Sequence, residues 1–135
     1  MAHIGQELNG PGGMVLRIVG IEPEALEMEA SYRGGGPMPP MHLHPRQTER
    51  FEVLDGTMLT VIGGVERSYE SGDVFDVPAG TPHQMGADGP ARLRWEVRPA
   101  LRTAEFFERM YTAPPSGAEE GAAFLEEFST EFRLS

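Results

Sequence analysis

Glycine and proline interrupt this chain roughly every eight to twelve residues, and the stretches between them alternate apolar and polar side chains. Leu26, Met28, Ala30 and Tyr32 alternate with Glu27, Glu29, Ser31 and Arg33, the period-2 pattern of a half-buried strand. Met14 to Val19 reads as a short apolar strand, and Gly34-Gly35-Gly36-Pro37 breaks the strand that follows it. Phe51 to Leu54 and Thr57 to Ile62 read as strands joined at Asp55-Gly56, a hairpin signal. Gly63-Gly64 turns into Val65 to Tyr69, Ser71-Gly72 turns before Val74 to Val77, and Leu93, Trp95 and Val97 mark the last strand. Such a series builds a sandwich or barrel, and a jelly-roll barrel fits. The residues before Met14 read as an irregular lead-in.

The histidines are the next constraint. His42 and His44 are i and i+2, so on a strand both face the same side. Glu49 comes five residues after His44 and would face away by parity alone. The intervening Pro45-Arg46-Gln47-Thr48 must therefore turn or bulge. His83 follows the loop Pro78-Ala79-Gly80-Thr81-Pro82 and would arrive from a neighbouring strand. Imidazoles with one carboxylate form an N/O donor set suited to Fe, Mn, Ni, Cu or Zn. Gln84 and Gln47 are candidate hydrogen-bond donors to a metal-bound ligand, and either can equally be a turn or solvent residue. His3, near the terminus, has no assigned role.

These positions resemble the paired motifs of the cupin superfamily, and in particular a small single-domain microbial cupin of the cupin 2 conserved-barrel type. The first motif is matched at Gly36, His42, His44, Glu49 and Gly56, and the second at Gly72, Pro78, Gly80 and His83. The asparagine that closes the second motif is Ala87 here. The resemblance implies an all-β fold: a single cupin barrel (a double-stranded β-helix, or jelly roll) with a short C-terminal helical extension. It also implies one divalent transition metal ion per chain, held by His42, His44, Glu49 and His83. Glu49 and Gln84 are the candidate catalytic residues. The family's ligand set implies metal-dependent oxidoreductase chemistry of the dioxygenase kind, placed ahead of isomerase or cyclase chemistry, on a small apolar or aromatic oxygenated molecule. The alternative is a non-catalytic small-molecule-binding or sensor module whose metal is structural.

The rest of the chain sets the frame. Residues 1–135 are expected to form one domain, with the barrel over about 14–98 and a helical tail over about 101–133. In the tail, Thr103 can start a helix containing Phe106, Phe107, Met110 and Tyr111. A second helix is expected over Glu119 to Phe132, with Phe124, Leu125, Phe128 and Phe132 as its apolar stripe. These aromatics are expected to cover the barrel's outer face or a neighbouring subunit. Met38, Met41, Met58, Phe75, Met85 and Trp95 lie on or near the ligand-bearing segments, some as cavity lining and most as core. Trp95 is expected inside the barrel and its neighbour Arg94 outside.

There is no cysteine and no lysine, which rules out thiolate and Schiff-base nucleophiles. A net charge of −10 argues against nucleic acid or an anionic membrane as partner. The absence of a long apolar run or signal-like start makes a cytoplasmic location the default. A homodimer with a small-molecule ligand completes the expectation.

Overall fold

A computed structural model describes residues 1–36 and 38–135. Its strands are β1 (Glu7–Asn9), β2 (Val15–Glu22), β3 (Ala25–Tyr32), β4 (His42–Leu43), β5 (Thr48–Asp55), β6 (Thr57–Ile62), β7 (Val65–Glu70), β8 (Val74–Val77), β9 (His83–Ala87) and β10 (Ala91–Arg98). Helices α1 (Thr103–Thr112) and α2 (Gly117–Glu127) follow, and a two-residue strand, β11 (Arg133–Leu134), closes the chain. One antiparallel sheet runs β1-β2-β3-β10-β5-β8 and the other β11-β4-β9-β6-β7. This is the jelly-roll barrel with a C-terminal helical part that the sequence pattern calls for.

The alternation read from the sequence is the alternation seen. Leu26, Met28 and Ala30 on β3 are fully buried, as are Leu93 and Val97 on β10 and Phe51 and Val53 on β5. Burying each large side chain contributes about 1.5–3 kcal/mol. The opposite faces carry charge, for example Arg17 with Glu29 and Arg50 with Asp76, both at 2.9 Å. Such exposed pairs add little stability. Gly56 turns β5 into β6 at φ 81°, and a Cβ there would lie 2.3 Å from the Pro90 carbonyl oxygen, so only glycine fits. Gly34 and Gly35, with φ of 86° and 75°, break the chain after β3. Pro37, the last residue of that expected break, lies outside the described residues.

Three expectations change. The lead-in is not wholly irregular: β1 pairs with β2 in the register Leu8↔Leu16, and Leu8 is buried. A single leucine between Glu7 and Asn9 is too short a pattern to announce a strand. The His42/His44 strand is only two residues long, and His44 already sits where the chain turns through Pro45-Arg46. The second helix ends at Glu127, five residues early, and its continuation turns into β11. Phe124, Phe128 and Phe132 have helical spacing, but packing places Phe132 beyond the turn, just before β11. The tail lies on its own barrel: Phe106, Phe107, Phe124 and Phe128 are buried in the core, with Phe106 ring contacts to all three others.

Candidate metal centre

The central sequence expectation concerns four side chains, and the fold brings them together. β4 pairs with β9 so that His42 stands opposite His83. The turn at Pro45-Arg46 then reverses the chain, so that Glu49 enters β5 facing inward, opposite Val97 and Val77. One ligand atom from each of His42, His44 and His83 lies within 4.8 Å of the others. Glu49 joins them: its Oε1 is 3.1 Å from His44 Nε2 and 3.0 Å from His83 Nε2.

The outer nitrogens show what the inner ones are for. Nδ1 of His42 donates to the Pro40 carbonyl at 2.8 Å, Nδ1 of His83 to Thr81 at 2.9 Å, and Nδ1 of His44 to Glu131 at 2.8 Å. A carbonyl oxygen only accepts, so each Nδ1 carries the proton. In the neutral ring Nε2 is then a lone pair turned into the site. The carboxylate divides its work in the same way. Trp95 Nε1 donates to Glu49 Oε2 at 2.8 Å, leaving Oε1 for the interior. His44 Nε2 and Glu49 Oε1 are buried without a hydrogen-bond partner: they lie close but lack the alignment of a bond. Buried polar atoms without partners are costly, and converging lone pairs beside a carboxylate oxygen are satisfied together by a cation. The donor set therefore fits a transition metal.

Burial and charge reinforce each other here. Glu49 is 1% exposed, His83 2% and His44 7%, while His42 is only half-buried. Burial pushes the Glu49 carboxyl up, but the contacts from His44 and His83 outweigh it and hold the group at about 2. Burial pushes His42 down to about 4, against the raising effect of its Pro40 bond. For His44, burial favours the neutral ring and Glu49 outweighs it, so the ring's affinity for a proton is raised. A cation and that proton compete for the same place.

The remaining candidates fall outside this cluster. Gln84 follows His83 on β9 and so points to the other face, where its amide donates to the Pro39 carbonyl at 3.2 Å. Gln47 is buried and structural: its amide nitrogen donates to the carbonyls of Pro99 and Ala100 at 2.9 and 3.0 Å, tying the start of β5 to the approach to α1. Trp95 is inside as expected, between Phe51 at 5.3 Å and Phe107 at 5.2 Å, and Arg94 is outside. Met58 and Phe75 are core, whereas Met38, Met41 and Met85 are half-buried. Tyr32 faces inward, and burial, Tyr111 and Glu49 push its phenol above the ordinary range. His3 lies outside the cluster, its ring nitrogen Nδ1 3.2 Å from the Met1 carbonyl.

Sequence reasoning missed three partners: the Trp95 indole on Glu49, the Glu131 carbonyl on His44, and the Phe132 ring, stacked on His42 at 4.9 Å. Strand parity across β5 and β10 was the available signal for the first. A backbone acceptor 87 residues away leaves no signal in the sequence.

Comparison with known proteins agrees with this fold. No curated protein matches the chain by sequence. Among solved structures, KdgF from Halomonas sp. superposes with a TM-score of 0.63 at 22% identity, over 70% of this chain and 86% of that one. An RmlC-like cupin from Shewanella frigidimarina gives 0.66 at 21%, over 73% and 87%. A Streptomyces PAC13 variant with uridine gives 0.61 at 18%, over 73% and 81%. At these identities the likeness establishes the fold alone. The cupin-domain family model matches residues 28–97, just over half of the chain, and the protein belongs to the cupin family.

Proposed function

We propose that this cupin binds one divalent transition metal ion per chain through His42, His44, Glu49 and His83 and acts with it on a small-molecule ligand. One observation carries the reading: three imidazoles have their Nδ1 atoms bonded outward, one ligand atom of each lies within 4.8 Å of the others, and the His44 and His83 Nε2 atoms stand 3.1 and 3.0 Å from the buried Glu49 Oε1. Fe, Mn, Ni, Cu and Zn all accept such a donor set. When bound, the ion supplies Lewis-acid polarisation of a ligand oxygen or, for a redox metal, electron exchange with dioxygen.

The protein's own groups do the rest. Glu49 is the one carboxylate in the cluster, so it is both ligand and the candidate acid–base group. The contacts from His44 and His83 keep it ionised, and the Trp95 indole aims it. Gln84, expected to be catalytic, faces away from the cluster, and the role proposed for it is positioning: its bond to Pro39 steadies the approach to His42. Half-buried Trp95, Met85, Tyr32 and Tyr111 offer an apolar and aromatic interior. That supports a small apolar or aromatic oxygenated substrate, and the three-imidazole, one-carboxylate ligand type puts dioxygenase chemistry slightly ahead of isomerase or cyclase chemistry. Uridine in the Streptomyces structure is an example of a small ligand taken by this fold.

A second reading, a binding or sensor module with a structural metal, is favoured by the burial of three of the four ligands and by the placement of clefts. One cleft is lined by Thr48, Arg50, Asp76, Glu96 and Arg98, and no member of the site lines it. Both readings include a homodimer. Among the described residues no helix is long and apolar enough to cross a membrane.

Reconstitution followed by elemental analysis tests the shared claim. The protein should take up about one equivalent of a divalent metal, and His42→Ala combined with His44→Ala should abolish uptake. Finding none after trials with Fe, Mn, Ni, Cu and Zn overturns both readings.

A further inference from the structure

Two of the three imidazoles are oriented locally and the third is not. His42 and His83 each bond the carbonyl two residues back, on Pro40 and Thr81. His44 instead bonds the carbonyl of Glu131, in the C-terminal segment. The same segment reaches a second ligand. The Phe132 ring stacks on His42 at 4.9 Å with 22° between planes, and on Phe106 at 5.0 Å behind it. β11 then pairs with β4, Leu134 opposite His42 and Arg133 opposite Leu43, and Ser135 N donates to the Met41 carbonyl at 3.0 Å.

The segment is seated from the other side as well. Phe128 is fully buried beneath the Arg102 guanidinium at 4.5 Å. The Glu131 and Phe132 amides donate to the Phe128 carbonyl at 2.9 Å, and the buried Glu131 carboxylate accepts from the Arg102 amide at 3.3 Å. Arg133 and Leu134 are both exposed, so the strand is held chiefly by its pairing with β4 and by Glu131 and Phe132.

We propose that Glu131–Ser135 is a positioning element of the metal centre: docked on β4, it orients His44 through the Glu131 carbonyl and braces His42 through Phe132. The proposal rests on the metal-binding reading. Without the docked segment the His44 ring has no acceptor for its Nδ1 proton, and nothing selects the tautomer whose Nε2 lone pair faces Glu49. Docking and metal binding are then thermodynamically linked, and each strengthens the other by the same factor.

The test uses full-length protein with Zn²⁺ and Co²⁺ as probes. Zn²⁺ should slow hydrogen exchange at the amides of residues 132–135. Phe132→Ala should weaken Zn²⁺ binding by about 10–100-fold, the usual cost of losing an outer-shell partner, and shift the visible absorption of the Co²⁺ form. Phe132→Tyr, which keeps the ring, should restore both. Arg133→Pro provides a route that leaves the core intact, because proline cannot donate to the β4 ladder; it should weaken binding in the same direction. A merely structural tail gives a lower Tm in Phe132→Ala with Zn²⁺ affinity, Co²⁺ spectrum and tail exchange unaltered, and that result overturns the proposal while the metal site stands. Wild-type protein that binds neither ion overturns the metal-binding reading and this proposal together.

Discussion

At the scale of single residues, the site depends on how Glu49 divides its two oxygens. Oε2 accepts the Trp95 indole proton at 2.8 Å, and Oε1 lies 3.0–3.1 Å from two imidazole nitrogens. The ligand identities were legible because cupin spacing fixes residue types at set intervals. The division of labour within the carboxylate was not, since it depends on a cross-strand neighbour. Trp95→Phe tests it cleanly: the ring can still stack on Phe51 and meet Phe107 edge-on, and the donor is lost. Metal affinity in a competition titration should fall by about 10-fold with the fold retained. An unchanged affinity would show that Glu49 is aimed without the indole.

At the scale of elements, strands were read from period-2 burial and that signal holds wherever one face is core, as Leu26, Met28 and Ala30 show on β3. It fails for β1 and β11, which carry too few apolar residues to show a period. Helix α2 shows the converse error, because Phe132 continues the spacing of Phe124 and Phe128 while stacking on His42 and Phe106 outside the helix. Charge clasps the two helices: Glu127 Oε2 accepts from Arg109 at 2.6 Å and from Arg102 at 2.8 Å. These bonds, from Arg109 first, hold the Glu127 carboxyl below its ordinary value. A carboxyl with a depressed folded-state pKa stabilises the fold above its unfolded-state value and loses that contribution as pH falls through the folded one. Glu127→Gln should therefore lower Tm slightly at neutral pH and low salt. The difference should shrink in salt and disappear in strongly acidic buffer. A difference in circular-dichroism melting that persists in acid would contradict the clasp.

At the scale of the whole molecule, the aromatic tail that could have covered a neighbour instead completes this barrel, with Phe128 fully buried. Any dimer must then use other surface. Val65 and Val74 stand exposed on β7 and β8, the edge strands of the two sheets on that side, and unpaired edges invite pairing. Light scattering at micromolar concentration should return a dimer, and Val74→Lys should shift it toward monomer; a wild-type monomer throughout would remove the dimer from the account. The barrel was legible from turn spacing and the ligand quartet from motif spacing. The closure of the site by residues 131–135 was not, because it joins chain segments through a backbone carbonyl and a ring stack that no local pattern records. Anomalous diffraction from crystals grown with a divalent transition metal tests the central claim most directly. The expected result is a single strong peak within about 2.0–2.3 Å of the three Nε2 atoms and Glu49 Oε1. A map with no peak there, or with the imidazoles turned away from one another, would contradict it.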